Sequence, residues 1–597
     1  MTDDYRGNPG DKITHLKLHG LYNLRVGGNF LDERTDEYTT PSSRATGIDA
    51  YDAAFSIRPN FSSCSFENLY EGIHISKVNE TTGSCHIEGA EFEKCFTGIY
   101  SNNHNNFYFG GNKFYLFRPD NFTGEAPETL TGILLDGMAD GFMLTQNDFS
   151  SALADNDDRP IGCDVVAIST ANNRIFKNNF EYLYYGNRAG GINAMENSLG
   201  GQVATYSGLW YECNVNTENI LDPEFFSKKD FYVQSYGKIR YVQGRVDQFN
   251  NKIATGNIFT DPTSSFGTFY NLGAEVIYLY YVSDPLQDPY FPTGLDLQSA
   301  NENTDCGDEE CPPPCDTEIE LASRKTQFFQ TREDWADRLE ALPAISSNPQ
   351  KLRASADTVN FLRAELDREG GLILCHYTLD STQRRVDSIL TWLGYMQTYE
   401  SDLRLALHGF FSGDFTGSAA LVADLSSRYE LGEAREAELD EVKAVLEIVQ
   451  NALEEETPLD KLPQELLDTL EINWGTGCSE AGALARNILH RNGRNMRADC
   501  SEAARPLSQN TTWLLTGKLY HVYPNPASTE IRVEGPIIAG TTLFVTDISG
   551  RIVMAQQIAD TSLPIVLDVS RLQDGLYVLS MNNMQGKTEH DRFLILR

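Results

Sequence analysis

The sequence predicts a multidomain, mainly β chain. A β-helix spans residues 1–295, an α-helical region 318–494 and a small antiparallel β-sandwich 519–597, with linkers at 296–317 and 495–518. Three observations predict this order. A short strand pattern ending in Phe recurs between Asn23 and Phe259. The apolar spacing then changes to a helical period after Glu318, and alternating strand runs with turn residues return near Leu519.

The recurring pattern is an alternating run, then Asn or a small residue, a spacer and Phe. It reads NLRVGGNF (Asn23–Phe30), CHIEGAEF (Cys85–Phe92), NFYFGGNKF (Asn106–Phe114), FMLTQNDF (Phe142–Phe149), NRIFKNNF (Asn173–Phe180) and KIATGNIF (Lys252–Phe259). A turn ending in Gly and Ile follows: Gly47-Ile48, Gly72-Ile73, Gly98-Ile99, Gly132-Ile133. Alternation sends one set of side chains inward and the other to water. Gly and Asn are expected at the bends, where positive φ is required. From Phe66 to Phe92 is 26 residues and from Phe92 to Phe114 is 22, a period typical of stacked repeats. Longer gaps are read as loops, such as Arg118–Thr131 and Ser150–Pro160. An antiparallel sandwich with a Phe core is the alternative, but it would not repeat Asn-x-Phe and Gly-Ile in one order. Strand alternation at Lys12–Leu18 places the start of the sequence inside a coil, so an N-terminal truncation is expected.

These repeats resemble the right-handed parallel β-helix of pectate-lyase-like proteins. The resemblance covers somewhat under half the chain and implies a fold more than a function. Polysaccharide lyases and hydrolases are common in that family, which makes carboxylates and a base the residues to search for.

Residues 200–295 are dense in aromatics: Tyr206, Trp210, Tyr211, Phe225, Phe226, Phe231, Tyr232, Tyr236, Tyr278, Tyr280 and Tyr281. They either pack a core or offer exposed rings to sugars. The acidic, Pro-rich stretch 296–317 contains Cys306, Cys311 and Cys315. These lack zinc-ligand spacing, so a local disulfide between two of them is expected in an exported chain. Most of the other eight of the eleven Cys sit singly, as buried small hydrophobes often do.

In the helical region, LDEVKAVLEIVQNALEEE (Leu439–Glu456) and RRVDSILTWLGYMQTYESDLRLAL (Arg384–Leu407) place apolar residues at i, i+3, i+4 and i+7. Asp402–Leu407 followed by Gly413 and Ala419–Val422 reads as a helical hairpin, vaguely similar to tetratricopeptide repeats. A spacer or a partner-docking array is expected.

At the C-terminus, Tyr523, Pro524, Asn525 and Pro526 open the segment in an extended conformation. Val545–Val553, with Asp547, Gly550 and Arg551, predicts a hairpin turning at Ser549-Gly550. Leu572–Leu579, with Gly575 and Tyr577, predicts another at Asp574-Gly575. This set closely resembles the C-terminal sorting domain (type A) of the type IX secretion system of Gram-negative bacteria. The resemblance implies export across the outer membrane, the secretion machinery as partner, and an extracellular or outer-membrane-surface location. In that family the segment is an address, not an active site. Residues Met1–Gly10 are polar and carry no apolar signal core. Since such cargo needs a signal peptide, the gene product is expected to begin upstream of Met1.

The net charge of −37 and the sequence pI near 4.6 disfavour nucleic acid and anionic membrane as partners. No apolar run of 18 residues is present, so no transmembrane segment is expected. Motifs for chemistry are scarce. Asp155, Asp157, Asp158 and Asp164 precede Arg174, Lys177 and Tyr182, a set that a calcium-dependent lyase would use. Without alternating ligands and a Gly, it reads more simply as an acidic loop followed by outward charges. His74, His86 and His104 lie on neighbouring coils and would form a ladder if in register. No nucleophile elbow, His-Glu-x-x-His or phosphate loop occurs. No catalytic residue and no metal set is therefore assigned, and calcium is the one ion left open. The reading is a secreted, adhesin-like binding scaffold for a polysaccharide or surface protein. The alternatives are a polysaccharide-degrading enzyme with its site between Asn102 and Lys252, or a structural stalk.

Overall fold

The structure is a computed structural model. It describes residues 13–21, 24–33, 43–58, 64–77, 84–120, 129–137, 141–151, 159–167, 173–194, 208–217, 229–235, 237–246, 251–260, 268–273, 276–282, 286–287, 289, 293–304, 306, 318–341, 349–379, 385–429, 431, 433–454, 456–494, 496–498, 521–523, 529–534, 542–547, 552–557, 565–572, 575–582 and 588–595. The chain divides into two compact units, residues 1–505 and 506–597.

In the first unit the chain visits three parallel sheets in rotation. The first sheet has nine strands, from Thr14–His19 to Phe269–Asn271. The second runs from Leu24–Arg25 to Trp210–Glu212 and the third from Gly28–Leu31 to Val215–Thr217, with seven strands each. Each rung pairs with the rung before and after it, so an antiparallel sandwich is ruled out for this stretch.

Two side-chain columns hold the coil together. Phe30, Phe66, Phe92, Phe114, Phe149 and Phe180 stack within the coil, with neighbouring centroids 4.7–5.0 Å apart and planes within 4–8°. Each such pair adds about 0.5–1.5 kcal/mol beyond area burial. The Gly of each Gly-Ile turn lies against this column. A Cβ on Gly98 would sit 2.6 Å from the Phe114 ring and 2.6 Å from Gly132 O, so the repeat needs Gly for space. Phe259 departs from the ladder. Val215 pairs with Ile258, which sets Asn216 at the Phe position of the preceding rung, and Phe259 instead meets Phe231 edge-on at 5.7 Å.

Asn serves the bends at Asn68, Asn103 and Asn106, with φ of 56°, 52° and 53°, but a second column of Asn has a different role. Asn112, Asn147, Asn178, Asn214 and Asn257 are buried, and each amide but the last donates to the next side-chain oxygen at 2.9–3.2 Å. The positive φ belongs to the residue before each one: Gly111, Gln146, Lys177, Cys213 and Gly256. The Asn side chains instead bridge rungs, satisfying polar groups that the corner would leave buried and unpaired.

Among the described residues eight helices follow: α1 Glu318–Ala341, α2 Pro349–Leu379, α3 Val386–Met396, α4 Tyr399–Phe411, α5 Phe415–Tyr429, α6 Glu433–Glu454, α7 Gln464–Trp474 and α8 Glu480–Arg491. Thr398 and Ser401 form a reciprocal capping box on α4, and Ser479 caps α8. Residues of α1–α3 pack one core around Phe328, Ile373 and Trp392. Helices α4–α8 pack another around Leu403, Val445 and Ile488. The described helices range from 11 to 31 residues, unlike a regular tetratricopeptide array.

The helices are not a spacer, because α8 lies against the first sheet. The linker at 296–317 also needs correction: Leu295–Ser299 is a strand paired with Ile277–Tyr281. Cys306 is bonded to Cys213, 93 residues away, not to a neighbour in the linker. A Cβ on Gly256 would lie 2.5 Å from Cys306 Sγ. Cys311 and Cys315 lie outside the described residues.

Among its described residues the second unit contains two antiparallel sheets. One holds His521–Tyr523, Glu530–Glu534 and Ile565–Asp568. The other holds Thr542–Asp547, Ile552–Gln557, Gly575–Asn582 and Thr588–Ile595. Ile531, Val533 and Leu567 of one sheet share a core with Val545, Leu579 and Ile595 of the other, as a sandwich requires. The Asp574-Gly575 turn is not a hairpin. Strands Ile565–Asp568 and Gly575–Asn582 belong to different sheets, so this connection crosses between layers.

Candidate functional site

Strand register builds one outward column across the first sheet: Lys17, Asp49, His74, Tyr100, Leu134, Asp164, Arg188, Tyr232 and Tyr270. Their neighbours two residues away along the strands face inward or outward by the same alternation, which puts Tyr51, Ser76, Asn102 and Asp136 beside them. This face is divided into a covered part and an open part.

Helix α8 covers the earlier rungs. Arg486 donates to both oxygens of Asp136, Nε at 2.7 Å and Nη2 at 2.6 Å, while Tyr100 donates to the same carboxylate at 2.9 Å. Both partners of the ion pair are 1% exposed. Asn487 donates to Lys77 O at 2.6 Å, and Asn102 donates to Ala483 O at 3.2 Å. Arg491 pairs with Asp52 at 2.6 Å. His490 stacks on His74, centroids 3.7 Å apart, and approaches Asp49 at 3.4 Å. After α8, Arg497 reaches Glu71 and Ala498 packs against Tyr100, Leu134 and Val166. The expected linker at 495–518 therefore begins as part of this contact. The small side chain of Ala483 lies against Gly137 and lets α8 approach the sheet closely, while Ala481 and Ala485 face the helical core.

Further along, the column carries rings and cations. Tyr185 stacks on Tyr232 at 4.8 Å and 7°, and Tyr232 on Tyr270 at 6.2 Å. Lys229 lies 5.1 Å over the Tyr270 ring, and Arg188 makes a two-pronged pair with Asp164 at 2.9 and 2.5 Å. Tyr185, Arg188, Tyr232 and Tyr270 are all half-buried. Burial pushes the Tyr185 phenol up, so it stays a neutral donor. Such a stack presents ring edges with hydroxyl and cationic donors beside them.

The sequence-flagged residues scatter. Among the three His, His74 is in the first sheet and His86 in the second, while His104 follows the strand Thr97–Asn102. In register, His74 faces Asp49 and Tyr100, and His86 faces Tyr108. The ladder does not form, because the three occupy different positions along their rungs. Asp155, Asp157 and Asp158 lie outside the described residues. Asp164 is committed to Arg188. Arg174, on the second sheet, pairs with Glu212 and lies 3.8 Å over the Phe176 ring. Lys177 and Tyr182 are left-handed corner residues, φ 55° and 58°. These groups point from different faces and do not converge. Of the aromatics in 200–295, Tyr211, Phe231 and Tyr280 are buried, Trp210 and Tyr232 are half-buried and Tyr278 is exposed, so both expected roles occur. Tyr206, Phe225, Phe226 and Tyr236 lie outside the described residues.

In the tail, Tyr523 pairs with Arg532, Asp547 with Tyr577, and Gly575 with Ile595. Tyr577 is buried. Pro524, Asn525, Pro526, Gly550 and Arg551 lie outside the described residues.

Residues 521–595 match the family described as the secretion system C-terminal sorting domain. No curated protein and no solved structure matches the chain. The chain thus carries a type IX sorting domain, which marks it for export to the cell surface or beyond and for interaction with that secretion machinery. No described helix is long and apolar enough to cross a membrane.

Proposed function

We propose that the three-sheet coil is a right-handed parallel β-helix of the pectate-lyase-like kind, and that it serves this exported protein as a scaffold for binding glycan at or beyond the cell surface. The observation that carries the reading is the open column of Tyr185, Tyr232 and Tyr270, flanked by Arg188 and Lys229. Stacked rungs repeat at roughly 4.8 Å, close to the length of a sugar residue. Successive ring edges are thus suited to successive residues of an extended chain, with sugar C–H groups against the edges and sugar hydroxyls toward the phenol hydroxyls and the cations. The test is retention of the full chain on a panel of neutral and acidic polysaccharides, with and without calcium, alongside Tyr232→Ala and Tyr270→Ala. Retention by at least one polysaccharide, weakened roughly tenfold in each variant, supports the reading. Absence of retention throughout, or unchanged retention in both variants, refutes it.

A further inference from the structure

We propose that Asp49, His74 and His490 form a site for a divalent transition-metal ion, zinc above all, that ties α8 to the coil. One donor atom from each lies within 4.8 Å of the others, and all three residues are buried. Two come from adjacent rungs of the first sheet and the third from α8, so the set exists only when the helix is docked.

A separate observation points to a missing ligand. His74 is 1% exposed, and its Nε2 has no hydrogen-bond partner. A buried nitrogen left this way has given up its water with nothing in exchange. Its other nitrogen, Nδ1, is held by Glu71 Oε2 at 3.0 Å. With Nδ1–H donating to the Glu71 carboxylate, the Nε2 lone pair remains for an ion, and carboxylate partners of this kind orient histidine ligands in metal sites. Two imidazoles and one carboxylate suit zinc and its neighbours better than calcium or magnesium, which favour oxygen alone.

The surroundings fit a cation. Tyr51 hydrogen-bonds Asp49, Arg491 is paired with Asp52, and Arg497 with Glu71. The two rings lie face to face at 11°. Ion entry therefore turns His490 about its Cβ–Cγ bond until its lone pair converges with that of His74, and water fills the fourth position.

The experiment uses the untagged full chain, stripped with chelator and exchanged into chelator-free buffer. Zinc is followed by calorimetric titration, and cobalt(II) by its visible absorption, which reports nitrogen and oxygen ligands in tetrahedral geometry. One equivalent of zinc at micromolar affinity or tighter, with no comparable uptake of calcium, is expected. His74→Gln and His490→Gln each lower the affinity by about 100-fold, and Glu71→Gln, which keeps all three ligands, by roughly 10-fold. Circular dichroism of the metal-free variants checks their folding. If either ligand variant misfolds, Glu71→Gln and the cobalt spectrum of the unaltered protein decide. Substoichiometric zinc in the unaltered chain, an octahedral cobalt spectrum, or equal uptake by the folded variants overturns the proposal.

Discussion

Replacing Arg486 with Met should loosen the helical region from the coil. In the native protein Asp136 accepts two bonds from Arg486 and one from Tyr100, and neither charge reaches water. Opposite charges about 4 Å apart interact by about 4 kcal/mol at an effective dielectric near 20. Removing one partner of a buried pair typically costs about 3–5 kcal/mol, because the survivor is left uncompensated. Arg486→Met should therefore destabilise by about 3–5 kcal/mol. Adding Asp136→Asn removes the stranded charge and should restore at least about 2 kcal/mol. Urea unfolding gives the stabilities, and hydrogen exchange over Glu480–Arg491 shows whether α8 opens first. A loss below about 1 kcal/mol in the single variant, or no recovery in the double one, would refute the reasoning.

Two further outcomes follow from other contacts. Gly98→Ala drives a Cβ into Gly132 O and the Phe114 ring, and should cost about 1–3 kcal/mol. Gly371→Ala in α2, with nothing within 4 Å, should be neutral or stabilising by up to about 1 kcal/mol; equal effects in thermal melts would count against the Gly–Phe packing. Glu480 is raised to about 8, chiefly by burial, with Arg435 opposing and Glu438 adding to the rise. The folded state then holds a proton that the unfolded chain gives up near pH 4.3. This contribution is full below that pH and declines as pH rises toward about 8, by at most ~1.4 kcal/mol per pH unit. Glu480→Gln should remove the decline, and parallel stability curves for the two proteins between pH 5 and 8 would exclude it.

The repeating parts of the fold were legible because they are local. Phe and Gly-Ile recur within each rung, and each acts on the adjacent rung. The role of Asn was half legible: the expected bend positions are taken by Asn68, Asn103 and Asn106, but the rung-to-rung bridge was not foreseen, since a bend and a bridge both select Asn. His74 was singled out, but with the wrong partners. Its ring meets His490, more than 400 residues onward in the sequence, and no periodicity reports that. Cys306 was likewise matched to near neighbours, because pairing with Cys213 depends on where two corners of the coil fall. Of the stacked tyrosines only Tyr232 was singled out, within an aromatic-rich stretch, since Tyr185 and Tyr270 join it only after long loops are folded away.

The reach of α8 has a consequence for how the chain matures. In a tube of stacked turns each layer senses only the next, and such assemblies tend to fray from their ends. One rod laid across strands containing Asp49, Asn102 and Asp136 makes separate layers melt together. Yet that rod emerges 350 to 441 residues after the groups it grips. During synthesis and passage to the outside, the oldest layers wait with a bare acidic flank until nearly five hundred residues have appeared, making them the last part of the tube to become secure.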